Sequence, residues 1–150
     1  MKCRISLLSL YLLFAAQGLA AQNCSVSATP MSFGGLESIP GPAVDSAGSV
    51  SVNCDGPASY LIRLDAGMHG NGQFVTRKMS RVQGSGFLDY NLYRDASRTL
   101  IWGDGTGGSS SVQGSSPGAV ETIPLYGRIN AGQNLQVGDY SDIVTVTVDW

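Results

Sequence analysis

The sequence predicts an all-β domain, a sandwich of short antiparallel strands, on three observations. Glycine is abundant, with 20 in 150 residues, and short runs rich in Val, Thr and Tyr are punctuated by turn residues at strand-like spacing. No stretch of useful length shows the 3.6-residue period of an amphipathic helix. The segment YSDIVTVTVDW, residues 140–150, alternates almost strictly. Tyr140, Val144, Val146, Val148 and Trp150 share one parity with Asp142 as the exception, while Ser141, Thr145, Thr147 and Asp149 share the other with only Ile143 apolar. Successive side chains of a strand point to opposite faces, so this reads as one strand with a buried and a wet face. It stops with no turn, helix or polar tail behind it, which predicts a chain that ends inside its own fold. A long apolar edge without Pro or Lys invites pairing with another chain. A last strand that finds its neighbour within the domain is the plainer alternative.

Lys2 and Arg4 precede an apolar run from Ile5 to Ala16, followed by Gln17, Gly18, Leu19 and Ala20. That pattern is a secretory signal peptide, with cleavage expected after Ala20, so residues 1–20 are removed and 21–150 form one domain. The apolar run is shorter than the ~20 residues a bilayer span needs, which predicts an exported protein with no membrane span. Losing Cys3 leaves Cys24 and Cys54. An even pair in an oxidising compartment reads as one disulfide. Of nine Lys and Arg, Lys2 and Arg4 leave with the leader, so the domain is mildly acidic against eleven Asp and Glu. Without a basic cluster it is not expected to bind nucleic acid.

Cys24–Ala28 and Met31–Phe33 read as a first strand interrupted at Pro30, whose missing N–H implies an edge or a change of sheet. Residues 34–48 read as loop. Gly48–Cys54 is a strand with Val50, Val52 and Cys54 on one face, and Tyr60–Asp65 another with Tyr60, Ile62 and Leu64 inward. Ala66–Gly72 is turn material, Gln73–Met79 can pair after it, and Phe87–Arg94 alternates again. Leu100–Trp102 is a short stub before a Gly- and Ser-rich loop over 103–118, and Glu121–Ile129 precedes the terminal strand. The expected total is about seven strands, the number of a simple antiparallel sandwich.

Residues able to carry chemistry are few, and no enzyme is expected. His69 lies between Met68 and Gly70 in a turn, with no nucleophile motif to serve. Asp104 in WGDGTGG resembles part of a calcium loop, but residues 107–118 supply none of the later carboxylates such a loop requires. Asp89, Asp95 and Asp104 can be paired on paper for glycoside chemistry, which depends on a separation that sequence does not show. No metal or cofactor is expected. Tyr93 and Trp102 are candidates for an aromatic surface contact, with core packing as the competing role.

The stretches CSVSATPMSFG, GSVSVNCDGPASYLIRLDAG, LDYNLYRDASRTLIWGDG, TIPLYGRI and GDYSDIVTVTV together resemble the spore coat protein U domain family, whose members include Csu-type subunits of archaic chaperone–usher pili. The resemblance covers essentially the whole chain after the leader. It implies an incomplete immunoglobulin-like β-sandwich that lacks its last strand and is completed by a donor strand from a partner. It also implies that Cys24 and Cys54 are bridged near the start of the fold. In such subunits a groove between the first and last strands is filled first by a periplasmic chaperone and then by an extension of the neighbouring pilus subunit, with an outer-membrane usher as the assembly platform. Carried onto this chain, the groove is expected at Val144, Val146 and Val148 with an opposing wall near Val26. Only Ala21, Gln22 and Asn23 precede Cys24 in the expected mature chain, so a subunit that accepts a strand without donating one, at a fibre tip, is expected. The alternative is a secreted spore-coat or surface-binding protein that folds as a self-contained β-sandwich.

Overall fold

The computed structural model describes residues 22–36 and 40–150; the expected signal peptide at 1–20 lies outside them. Nine strands and no helix occur among the described residues. They are β1 (Cys24–Ala28), β2 (Val44–Cys54), β3 (Pro57–Leu64), β4 (Arg77–Arg81), β5 (Phe87–Tyr93), β6 (Val112–Pro117), β7 (Val120–Ile129), β8 (Tyr140–Ser141) and β9 (Val146–Asp149). A six-stranded sheet runs β1-β2-β7-β5-β4-β8 and a three-stranded sheet runs β6-β3-β9. Every pair of neighbouring strands is antiparallel.

Alternation decides what lies between the sheets. Val50, Val52 and Cys54 of β2, Tyr60, Ile62 and Leu64 of β3, Leu88, Tyr90 and Leu92 of β5, and Leu125 and Ile129 of β7 form one buried cluster. Trp102 completes it, fully enclosed, with its indole Nε1 donating to the Ile62 carbonyl at 3.3 Å. The opposite faces of β2, β3 and β7 are wetter, the expected pattern for half-buried antiparallel strands, whereas on β5 the other face includes the buried Asn91.

Three expectations about elements need correction. The long loop at 34–48 is shorter, because β2 begins at Val44 and pairs with β7 from Val44↔Ile129 through Asn53↔Val120. Residues 112–117, expected as loop, form β6 on β3 from Pro57↔Pro117 to Ile62↔Val112; pairing with an established strand overrides their weak intrinsic β preference. The terminal segment is not one strand. Ser141 pairs with Ser80 of β4 in the large sheet, whereas Val146 pairs with Leu64 of β3 in the small one. The chain therefore crosses from one sheet to the other over Asp142–Thr145.

A buried arginine organises one end of the sandwich. Arg77 is fully buried. Its guanidinium donates to the Asp65 carbonyl through Nε at 3.0 Å and Nη2 at 2.7 Å, to the Trp102 carbonyl at 2.7 Å, and to Asn91 Oδ1 at 2.8 Å. Asn91 in turn donates to the Phe74 and Val75 carbonyls at 2.8 and 3.0 Å. The cation thus satisfies two carbonyls directly and, through Asn91, stands behind two more, all in the β3–β4 and β5–β6 connections, and a buried carbonyl left without a donor costs about 1–3 kcal/mol.

Cys24 and Cys54 are bonded, joining directly opposed residues of β1 and β2. The bridge spans 30 residues of sequence, a loop whose closure stabilises by roughly 3 to 4 kcal/mol on a chain-entropy basis. Cys54→Ser should lower the free energy of unfolding by about 3 kcal/mol in a urea titration. In the native protein both thiols should resist maleimide until a reductant is added.

Candidate strand-acceptor cleft

Two edges face each other across the open side of the sandwich. β1 ends the large sheet and β9 ends the small one, so each has one side without a strand partner among the described residues. Between them runs a cleft of about 490 Å³. Its floor is core: Leu64, Met79, Tyr90, Leu92 and Leu125 line it. One wall is Ala28–Met31 with Phe33, and the other is Asp142–Val144 with Val146.

Val144 and Val146 therefore line the cleft, and Val148 packs half-buried against the core one step further along β9, opposite Ile62. Val26 is placed differently from expectation. It stands opposite the buried Val52 and so faces inward, yet it is 38% exposed and lies outside the cleft lining. The chain turns inward after Ala28, at Thr29 and Pro30, so Met31 and Phe33 supply that wall. These two lie on the inner face of the large sheet over Gly127, where any Cβ would collide with Met31 Sδ and approach Phe33 Cζ to 2.7 Å. Neighbouring inner positions are also small: Gly48 sits beneath Thr29 and Met31, and Ser46 Oγ donates to the Ser32 carbonyl at 2.6 Å. Phe33 meets the Tyr90 ring edge-on, with centroids 6.3 Å apart.

Trp150, outside the cleft lining, closes the far end of the two edges. Its Nε1 donates to the Gln22 carbonyl at 3.1 Å, tying the end of β9 to the residues before β1. Behind the Met31–Phe33 wall a second cavity of about 420 Å³ lies against Leu135–Asp142, and Met31, Phe33, Met79 and Asp142 line both spaces.

Asp142, Tyr90, Met31, Phe33 and Met79 were not among the residues expected at this site. Asp142 did leave a signal, as the one polar residue in the inward row of 140–150. Its carboxylate accepts from the Tyr90 hydroxyl at 2.6 Å and from the Met68 N–H at 2.9 Å. Burial pushes the Tyr90 hydroxyl well above its ordinary 10.0, and the hydrogen bond to Asp142 pushes it further.

The aromatic surface contact needs correction at Trp102, which is 0% exposed and has nothing to offer a ligand. Tyr93 is half-buried on β5 beside Tyr126 of β7. Burial raises its hydroxyl above the ordinary range, with Arg128 and Arg98 opposing. The carboxylates considered for catalysis are each engaged locally: Asp89 with Lys78 at 2.6 Å, Asp95 with Thr99 and the Leu100 N–H, Asp104 with Thr106. No group of three metal-ligating side chains occurs among the described residues. His69 lies half-buried beside Phe87, ring centroids 5.9 Å apart.

Residues 11–147 match the spore coat protein U domain. The chain belongs to that family. Protein U of Myxococcus xanthus is 30% identical over 105 residues, which cover 67% of this chain and 58% of that protein; the chain thus spans less than two thirds of this relative's length. Among solved structures, the complex of CsuC with the tip adhesion subunit CsuE from the archaic chaperone–usher Csu pili of Acinetobacter baumannii aligns with a TM-score of 0.61 at 22% identity. That alignment covers 86% of this chain and 40% of the solved one. The spore coat protein U domain here is an immunoglobulin-like sandwich with an open side.

Tyr90 sets an alkaline limit. Its folded-state value lies above its unfolded value near 10.0, so the neutral phenol's contribution is complete below that pH and fades as pH rises beyond it. Thermal unfolding followed upward through pH 10 should show a loss in the wild type that is smaller in Tyr90→Phe.

Proposed function

We propose that this chain is a non-enzymatic structural or adhesive subunit of an exported surface pilus, and that its cleft accepts a β-strand from a partner. The partners are a periplasmic chaperone, then a neighbouring pilus subunit delivered at an outer-membrane usher. Residues 1–20 act as the export signal and 21–150 as the mature domain. The observation that carries this reading is the pair of facing edges, β1 and β9, flanking a cleft floored by the core itself. A strand laid there bonds its backbone to an unpaired edge and drops alternate side chains onto Leu64, Leu92 and Leu125, the mode known as β-strand addition. Burying four or five apolar side chains contributes on the order of 10 kcal/mol before ordering costs. Family membership and the fold shared with a chaperone-bound pilus adhesion subunit support the same reading.

The purified mature chain should fold alone at low concentration with low stability, aggregate as it is concentrated, and become stable and monomeric when co-expressed with a periplasmic chaperone. A chain that is stable and monomeric alone, and indifferent to the chaperone, would instead be a self-contained secreted domain. Immunogold labelling of surface fibres then distinguishes a shaft subunit from one at the tip.

Side-chain parity gives a sharper check. Val146 faces the cleft, whereas Thr147 is exposed on the other face opposite Arg63. Val146→Asp should abolish co-purification with the chaperone and lower periplasmic yield severalfold, while Thr147→Asp should change neither by more than about twofold. Equal effects at the two positions would put the occupant on the wrong face of β9.

A further inference from the structure

Asp142 stands where an apolar residue would be expected, and its surroundings are shaped around it. A Cβ on Gly67 would collide with the Asp142 carboxylate, and Gly67 holds φ +77, a conformation that glycine adopts without strain. The carboxylate hangs between Tyr90 Oη on the floor and the Met68 N–H on the neighbouring connection, at 2.6 and 2.9 Å. Three residues on, Thr145 is held from both sides. Its N–H donates to Asp65 Oδ1 at 3.0 Å, and its carbonyl accepts from the Asp65 N–H at 3.1 Å. Asp65 is itself fixed through its carbonyl by buried Arg77. Residues 142–145 are therefore held at one end by the Asp142 side chain and at the other by Asp65, through both its carboxylate and its backbone N–H. Asp142 also lines both the cleft and the cavity behind it.

We propose that Asp142 is a positioning residue of the cleft, a post that holds Ile143–Thr145 away from Tyr90 and Leu64 so that an incoming strand finds the cleft open. This rests on the strand-accepting reading above. An apolar residue at 142 would pack directly onto Tyr90 and draw the wall inward. Removing the carboxylate leaves the Tyr90 hydroxyl and the Met68 N–H without their acceptor, which destabilises the fold somewhat. A purely structural role for Asp142 would let its loss loosen the core and raise exposed apolar surface, whereas loss of a post lets the cleft close and lowers it.

The test uses the mature chain and two probes. One is a synthetic peptide of about ten residues alternating valine with serine, long enough for an extended strand of about 33 Å. The other is the apolar dye anilinonaphthalene sulfonate, whose fluorescence reports exposed apolar surface. Asp142→Val should unfold at a somewhat lower temperature than wild type, yet bind the peptide about tenfold more weakly and lose most of the dye enhancement, which mere loosening would raise. Tyr90→Phe removes one of the two bonds and should weaken peptide binding about two- to fivefold with the fold retained. It carries the decision if Asp142→Val does not fold. Peptide and dye binding at wild-type levels in the folded variants would overturn the proposal. Wild-type protein that takes up dye but no peptide would count against a strand as occupant, and dye uptake by Asp142→Val would still decide whether Asp142 holds the wall.

Discussion

A sandwich has to cover the inner faces of both its sheets, and here six strands face three. The small sheet, β6-β3-β9, cannot roof the whole inner face of the large one. Within the described residues the shortfall is met partly by Thr29–Leu36, which folds inward over Ser46, Gly48 and Gly127 because those positions are small enough to let a chain pass. The remainder stays open as the cleft between β1 and β9. Interiors normally pack to crystal-like density with few voids larger than a water molecule, so about 490 Å³ lined by core side chains is space that another apolar group fits.

Keeping such a cleft open requires rigid walls, and the wall at Asp142–Thr145 has no strand neighbour to stiffen it. Polar side chains do that work, and Arg77 is their anchor. Burial acts to lower the Arg77 pKa, opposed by the nearby Tyr90, Asp65 and Asp142. Its four hydrogen bonds reach Asp65, Asn91 and Trp102. Asp65 extends that frame to Thr145, and Asp142 ties the next turn of chain to Tyr90. Hydrogen bonds to a charged group in a water-poor setting contribute more than neutral ones, about 1.5–3 kcal/mol each, so the frame is stiff where a ladder is absent.

The strands that bury one full face were legible where β3, β5 and the second half of β2 repeat an apolar residue at every second position. The cysteine pair was equally plain. What escaped was long-range. β6 has the composition of a loop, VQGSSP, and is a strand only because β3 offers it a partner six residues long. The inward path of Met31 and Phe33 depends on Gly127, almost a hundred residues away, and no local pattern announces that contact. Pro30 marked where the first strand stops, without showing that the chain would then line the cleft in place of Val26.

The break of parity at Asp142 held information that the surrounding alternation concealed. Read as one strand, residues 140–150 contain a single misplaced carboxylate; in the fold that carboxylate sits where the chain leaves β4 and travels to β3. The change of sheet explains the break, because a residue between sheets has no ladder partner and needs side-chain acceptors to fix its path. Tyr140 and Val146 keep their inward parity on either side of it, each facing a different sheet. A strict apolar alternation through 142 would favour one continuous strand along a single sheet, and the two edges flanking the cleft would no longer belong to opposite halves of the sandwich. The polar exception thus marks where the segment leaves one sheet for the other, at the edge of the opening between them.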